Sequence, residues 1–131
     1  MGVLAAPSKW RPIEEATLSY GYGMSVNALQ LAQAYMVLAN GGIHYPLSLL
    51  KIEGKAVGQR VLSEKVTFDV RQMLREVVEN GTGTRAQPGF YSAGGKTGTV
   101  HLVGKGGYED SQYKAIFAGM APIDDPRIVT V

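Results

Sequence analysis

Lys96-Thr97-Gly98-Thr99 is the stretch of this chain whose residue types and spacing are best suited to chemistry. It follows the glycine pair Gly94-Gly95 and leads into Val100 and a β-branched run. Side chains alternate along a strand, so a strand here sets Thr97 and Thr99 on one face and Lys96 and Gly98 on the other. Two hydroxyls at that spacing can both hydrogen-bond one carboxylate, such as a peptide C-terminus. Lys96 adds a fixed positive charge, and Gly98 removes the side chain that would obstruct a substrate lying along the strand. Such a substrate would be aligned by backbone hydrogen bonds, as an added strand is. Taken alone, a lysine between glycine and threonine is an ordinary solvated strand residue; its surroundings decide which reading holds.

Those surroundings read as an α/β chain of the α+β type, an antiparallel sheet backed by helices. Residues 1–15, with Pro7 and Pro12, read as an extended lead-in. Tyr20-Gly21-Tyr22-Gly23 forms a loop feeding a helix over about residues 25–40. Val26, Leu29, Leu31, Ala32, Tyr35, Met36, Val37 and Leu38 make it apolar nearly all round, which predicts a buried helix. Gly41-Gly42 stops it. Residues 47–52 and 59–62 read as short strands. Ser63 caps a second helix, to about residue 80, with Val66, Val70, Met73, Leu74, Val77 and Val78 at helical spacing. Asp69, Arg71, Gln72, Arg75 and Glu76 fall on its wet side. Strands over residues 91–103, 113–121 and 127–131 complete the chain, joined by short links and so antiparallel.

Composition narrows the function. The chain has 131 residues, 45% of them hydrophobic, enough for a core of its own. A net charge of +2, spread without a basic block, argues against nucleic-acid binding. The absence of cysteine excludes disulfides and thiolate metal sites. His44 and His101 are too isolated for a metal centre, and no cofactor is implied. No run approaches the roughly 18 apolar residues of a membrane span. The chain closes in a β-branched run, Arg127-Ile128-Val129-Thr130-Val131, with no stop signal, so it reads as part of a larger domain.

Three further segments accompany the lysine motif: Ala16-Thr17-Leu18-Ser19-Tyr20-Gly21-Tyr22-Gly23-Met24, Leu29-Gln30-Leu31-Ala32, and Phe117-Ala118-Gly119-Met120-Ala121-Pro122. In that order and at those intervals, the set resembles the transpeptidase domain of class B penicillin-binding proteins, particularly the division-specific type that cross-links septal peptidoglycan. The resemblance runs from about Trp10 to Val131. It implies the penicillin-binding-protein/β-lactamase-like transpeptidase fold, of which this chain would be the C-terminal part. Lys96-Thr97-Gly98 corresponds to the third motif of such serine acyl-enzymes. The resemblance assigns Lys96 and Thr99 to catalysis, with the Thr99 backbone N–H in the oxyanion hole, and Thr97, Gly98 and Thr99 to substrate binding. It implies peptidoglycan stem peptides ending in D-Ala-D-Ala as substrate and β-lactams as dead-end acylators. Division-machinery proteins would be partners of the parent, anchored at the periplasmic face of the bacterial inner membrane by a segment absent from these residues.

That family attacks with the serine of an SxxK motif, activated by the lysine one helical turn later. Ser48-Leu49-Leu50-Lys51 and Ser111-Gln112-Tyr113-Lys114 have the spelling. Ser48, however, lies in a strand-like run and Ser111 in a polar turn, whereas Ser and Lys must share a helix face. Ser25-Val26-Asn27 spells the family's second motif but matches its helix start. The nucleophile is therefore expected upstream. Two other classes are weighed against this. A non-catalytic penicillin-binding-like interaction module would keep the fold and lack the serine. Gly95-Lys96-Thr97 also ends like a P-loop, yet Phe90 stands where that motif needs glycine, and a strand follows where it needs a helix. Gly81-Thr82-Gly83-Thr84-Arg85 reads equally as a ligand loop or a helix terminator, with Arg85 a candidate contact. Tyr20 and Tyr22 read as packing aromatics and His101 as a surface strand residue.

Overall fold

A computed structural model describes residues 2–4, 10–104 and 107–131. Strand β1 (Val3–Leu4) pairs antiparallel with β2 (Met24–Ser25), and helix α1 (Pro12–Ser19) lies between them in sequence. Helix α2 (Ala28–Ala39) leads to β3 (Ile43–His44), which pairs with β4 (Gln59–Arg60). Helix α3 (Glu64–Glu79) is followed by a 3-10 turn (Thr84–Ala86). Strands β5 (Gly94–Gly104), β6 (Gly107–Ala121) and β7 (Ile128–Thr130) then form an antiparallel sheet in the order β5-β6-β7. The α+β architecture read from the sequence holds.

Its details differ in places. The lead-in is helical from Pro12 onward rather than extended. Pro12 occupies the first turn, where proline's missing N–H costs nothing. Glu14 closes that turn by accepting from the Arg11 backbone N–H at 2.9 Å and from its guanidinium at 2.6 Å. Residues 47–52 form no strand. The Ser48 hydroxyl donates to Leu50 O at 2.7 Å and accepts from Leu50 N–H at 3.1 Å, bending the chain. The pairing falls instead on Ile43 and His44, opposite Arg60 and Gln59. The first sheet strand begins at Gly94 rather than Tyr91, and β6 runs back to Gly107. Ser111 therefore lies within a strand and not in a turn. Residues 105–106 of the connection, and the side chains of His101 and Ser111, lie outside the described residues. Tyr20 and Tyr22 meet each other edge-on with centroids 5.7 Å apart, but both stay exposed rather than packed into the core.

Both long helices start where their caps dictate. Asn27 Oδ1 accepts from Gln30 N–H at 2.8 Å while Gln30 Oε1 accepts from Asn27 N–H at 3.0 Å, a reciprocal capping box. Ser63 Oγ accepts from Val66 N–H at 3.2 Å. Gly42 ends the α2 region with φ +92°; a Cβ there would strike Leu62 O, so glycine is required twice over. In α2 only Val37 is buried: α3, β3, β6 and β7 contact the helix and leave most of it half-buried, while its first turn, with Leu29, stays exposed, so it is less covered than its sequence suggests. In α3 the buried and wet sides are displaced from those read in the sequence: Thr67, Leu74 and Val78 are buried and Arg75 is turned inward, while Val66 and Met73, expected on the covered side, are exposed. The core gathers Leu74, Met120 and Ile123, with Tyr35, Leu38, Val70 and Val129 packed around them. It sits between the helices and the sheet, against the start of β5.

Candidate active-site wall

Strand β5 is held from its base. Ile123 N–H donates to Ser92 O at 2.9 Å, and Ser92 Oγ donates to Asp124 Oδ2 at 3.2 Å. Arg75, on α3, pairs with the other oxygen of Asp124. That guanidinium is the main reason the Asp124 carboxyl titrates below the ordinary aspartate range. Gly94 is pinched between two elements: a Cβ there would collide with Ile123 Cδ1 and come within 3.2 Å of Arg75 N. At Gly95 a Cβ would strike the Phe117 ring and approach Ala118 O to 2.7 Å. The glycine pair thus lets the sheet close against the helix and against an aromatic ring.

Two residues later the surroundings empty. Lys96 pairs with Ala118, Thr97 with Phe117, Gly98 with Ile116 and Thr99 with Ala115. Paired residues share a face, so Thr97 and Thr99 lie together and Lys96 and Gly98 oppose them, as the strand period requires. Lys96 is exposed, and its Nζ donates to Thr97 O at 2.9 Å, with Thr97 Oγ1 at 3.5 Å. Around Gly98 the space is open: no atom lies within 4 Å of where a Cβ would stand. Thr99 is exposed. Strand β5 pairs only with β6, so among the described residues its outer edge is unpaired, a row of backbone donors and acceptors beside a cation and two hydroxyls.

The four residues selected from sequence, Lys96, Thr97, Gly98 and Thr99, therefore share one accessible strand segment. The residue that sequence reasoning missed is Thr82. Its Oγ1 lies 2.9 Å from Thr97 Oγ1. Gly81-Thr82-Gly83-Thr84-Arg85 does face this strand, through Thr82 rather than Arg85, whose side chain is exposed in the 3-10 turn. The available signal was the small-residue loop itself; which hydroxyl points inward depends on how Gly83 packs on α3. Neither SxxK spelling lies on a helix: Ser48 is in a bend and Ser111 in β6. The P-loop reading fails as well, since β5 continues through Gly98 to Gly104 and offers no helix N-terminus to a phosphate.

Fold and comparison with known proteins together fix the family. Residues 2–131 match the penicillin binding protein transpeptidase domain, and the chain belongs to that family. It is 40% identical over 129 residues to a protein of Neisseria gonorrhoeae named "Probable peptidoglycan D,D-transpeptidase PenA" and 37% identical over 131 residues to the peptidoglycan D,D-transpeptidase FtsI of Escherichia coli. These alignments cover 98% and 99% of this chain but 22% of each relative. The apo transpeptidase domain of penicillin-binding protein 3 from Burkholderia pseudomallei superposes with a TM-score of 0.91 at 43% identity, covering 98% of this chain and 40% of that one. The chain thus spans under a quarter of the length of these two curated relatives.

Proposed function

We propose that this chain supplies the substrate-carboxylate and oxyanion wall of a class B peptidoglycan D,D-transpeptidase acting in septal wall synthesis, with the nucleophilic serine outside these residues. The observation that carries the reading is Gly98. Gly94 and Gly95 are demanded by the chain's own packing, whereas Gly98 is demanded by nothing within 4 Å, so its missing side chain serves something that arrives from outside. The open edge of β5 takes the acyl donor as an added strand. Thr97 and Thr99 hold its terminal carboxylate, and Lys96 supplies the nearby positive charge. The Thr99 backbone N–H is one oxyanion donor, a contribution of about 3 kcal/mol to the barrier in other acyl-transfer enzymes.

In this reaction the serine oxygen forms an ester with the penultimate D-alanine carbonyl as the peptide C–N bond breaks. The terminal D-alanine leaves with a proton on its amine. An amine of a neighbouring strand then attacks the ester carbonyl; the new amide bond forms the cross-link as the serine C–O bond breaks, and a proton lost by that amine restores the serine hydroxyl. A β-lactam follows the first step only. The substrate is extracytoplasmic, which places the working protein at the periplasmic face of the inner membrane, beside division proteins.

The test is labelling with a fluorescent penicillin followed by peptide mapping. The full-length protein is expected to label once, at a serine outside residues 1–131, and the isolated chain not at all. A label on Ser48 or Ser111 would overturn the assignment of the nucleophile, and an unlabelled full-length protein would favour the non-catalytic module.

A further inference from the structure

We infer that Thr82 is a positioning residue for acyl-donor recognition, acting through Thr97 by fixing which way the Thr97 hydroxyl proton points. The inference rests on the reading of Lys96 to Thr99 as the acyl-donor wall. Thr82 is carried by a loop fastened to the end of α3. Gly83 N–H donates to Val77 O at 2.9 Å, and Ala86 N–H donates to Gly83 O at 2.8 Å. Gly83 is buried, and a Cβ on it would crowd Val77 O at 3.1 Å and Val78 Cγ2 at 3.3 Å. Because α3 also packs on β5, the loop and the strand share one support.

A hydroxyl has one proton to donate and two positions at which to accept. Lys96 Nζ only donates; lying 3.5 Å from Thr97 Oγ1, it faces one accepting position. Thr82 Oγ1, at 2.9 Å, can donate to or accept from the same oxygen. An arriving carboxylate only accepts. One arrangement satisfies all four groups: Lys96 and Thr82 donate to Thr97, and Thr97 donates its single proton to the carboxylate. No proton changes owner; two hydroxyl rotors settle. The chain of bonds also polarises the last donor, which strengthens it toward an anion. Thr82 itself need not touch the donor, and its effect is confined to ligands that carry the charge.

Acylation efficiency of the full-length protein, measured with an acid donor and with its methyl ester, tests this. Thr82→Val keeps the branched shape and removes the hydroxyl. It is expected to slow the acid donor about three- to tenfold, the range for one neutral hydrogen bond, and to leave the ester unchanged. Thr82→Ser restores the acid rate to within about twofold. The Thr82→Val/Thr97→Val pair behaves like Thr97→Val alone, because both changes break one unit. Equal losses for acid and ester, additive losses in the pair, or no rescue by serine would overturn the inference. Thr99→Val run alongside separates the two levels. If it discriminates acid from ester and Thr82→Val does not, only the role of Thr82 falls; if neither discriminates, the carboxylate wall falls with it. Melting temperatures of the variants, expected to match the parent because Thr82 is exposed, exclude a folding defect.

Discussion

Residues 92–95, which lead into and open strand β5, are crowded, and over residues 96–99 the strand is far more open. At the base, Gly94 is closed in by Ile123 and Arg75 N, Gly95 by Phe117, and Ser92 by Asp124 and Ile123. Beyond it, Lys96 and Thr99 are exposed, and nothing crowds Gly98. Both segments are glycine-rich and share one strand, so composition does not separate them. What separates them is what each glycine makes room for: the protein itself at the base, an incoming ligand at the tip. Substitutions at the base should therefore register as stability, and substitutions at the tip as rate.

The widest divergence is expected between Gly94→Ala and Gly98→Ala. The added methyl at position 94 meets Ile123, which is 1% exposed and has nowhere to retreat, so overpacking should destabilise by about 1 to 3 kcal/mol. At position 98 the methyl enters open space, and the loss of unfolded-state freedom makes the change neutral or stabilising by up to about 1 kcal/mol. The same Gly98→Ala protein should nevertheless acylate more slowly, because the methyl stands where the donor lies. Denaturant melts and acylation rates on the two variants check the contrast. Equal destabilisation at both sites would dissolve the distinction between base and tip.

A smaller effect sharpens it. Asp124 titrates below its ordinary value because Arg75 and Ser92 bind the charged form. A carboxyl depressed in the native state contributes stability fully above its unfolded value, about 3.9, and loses it as pH falls through the native value. Asp124→Asn should therefore be less stable than the parent at neutral pH, and the difference should shrink as pH is lowered below 4. Acid titration of the two melting curves is the measurement. A gap that stays constant with pH would mean the Arg75 contact contributes nothing through charge.

Much of this was legible in advance, for identifiable reasons. Helices α2 and α3 were readable because the Ser63 cap and the Gly41-Gly42 stop are chemically explicit, whereas the Asn27 cap of α2 was not singled out and the helix was expected from about residue 25. The β5–β6 hairpin was readable from β-branched runs around glycines, and its register puts Thr97 and Thr99 on one face as the period of two demands. What misled was local chemistry with two meanings. Pro12 suits an extended segment as well as a helix start, and the Leu-Ser-Leu-Leu run suits a strand until the Ser48 hydroxyl bends it. Arg75 looked like surface until Asp124, 49 positions away, drew it inward, and Thr82 acquires meaning only from Thr97 across the fold. Long-range partners of this kind leave no local pattern.

The central claim, that the bare half of β5 recognises the donor carboxylate, is tested most directly by replacing Thr99 with valine in the full-length protein and comparing acid and ester donors. Valine keeps the β-branched shape and the backbone N–H, so only the hydroxyl contact is removed. Losing one hydrogen bond to a charged group costs about 1.5 to 3 kcal/mol, roughly ten- to a hundredfold in acylation efficiency. The account predicts that loss for the acid donor and little or none for the ester. An equal loss for both donors would show that Thr99 acts through backbone geometry alone and would contradict the carboxylate role.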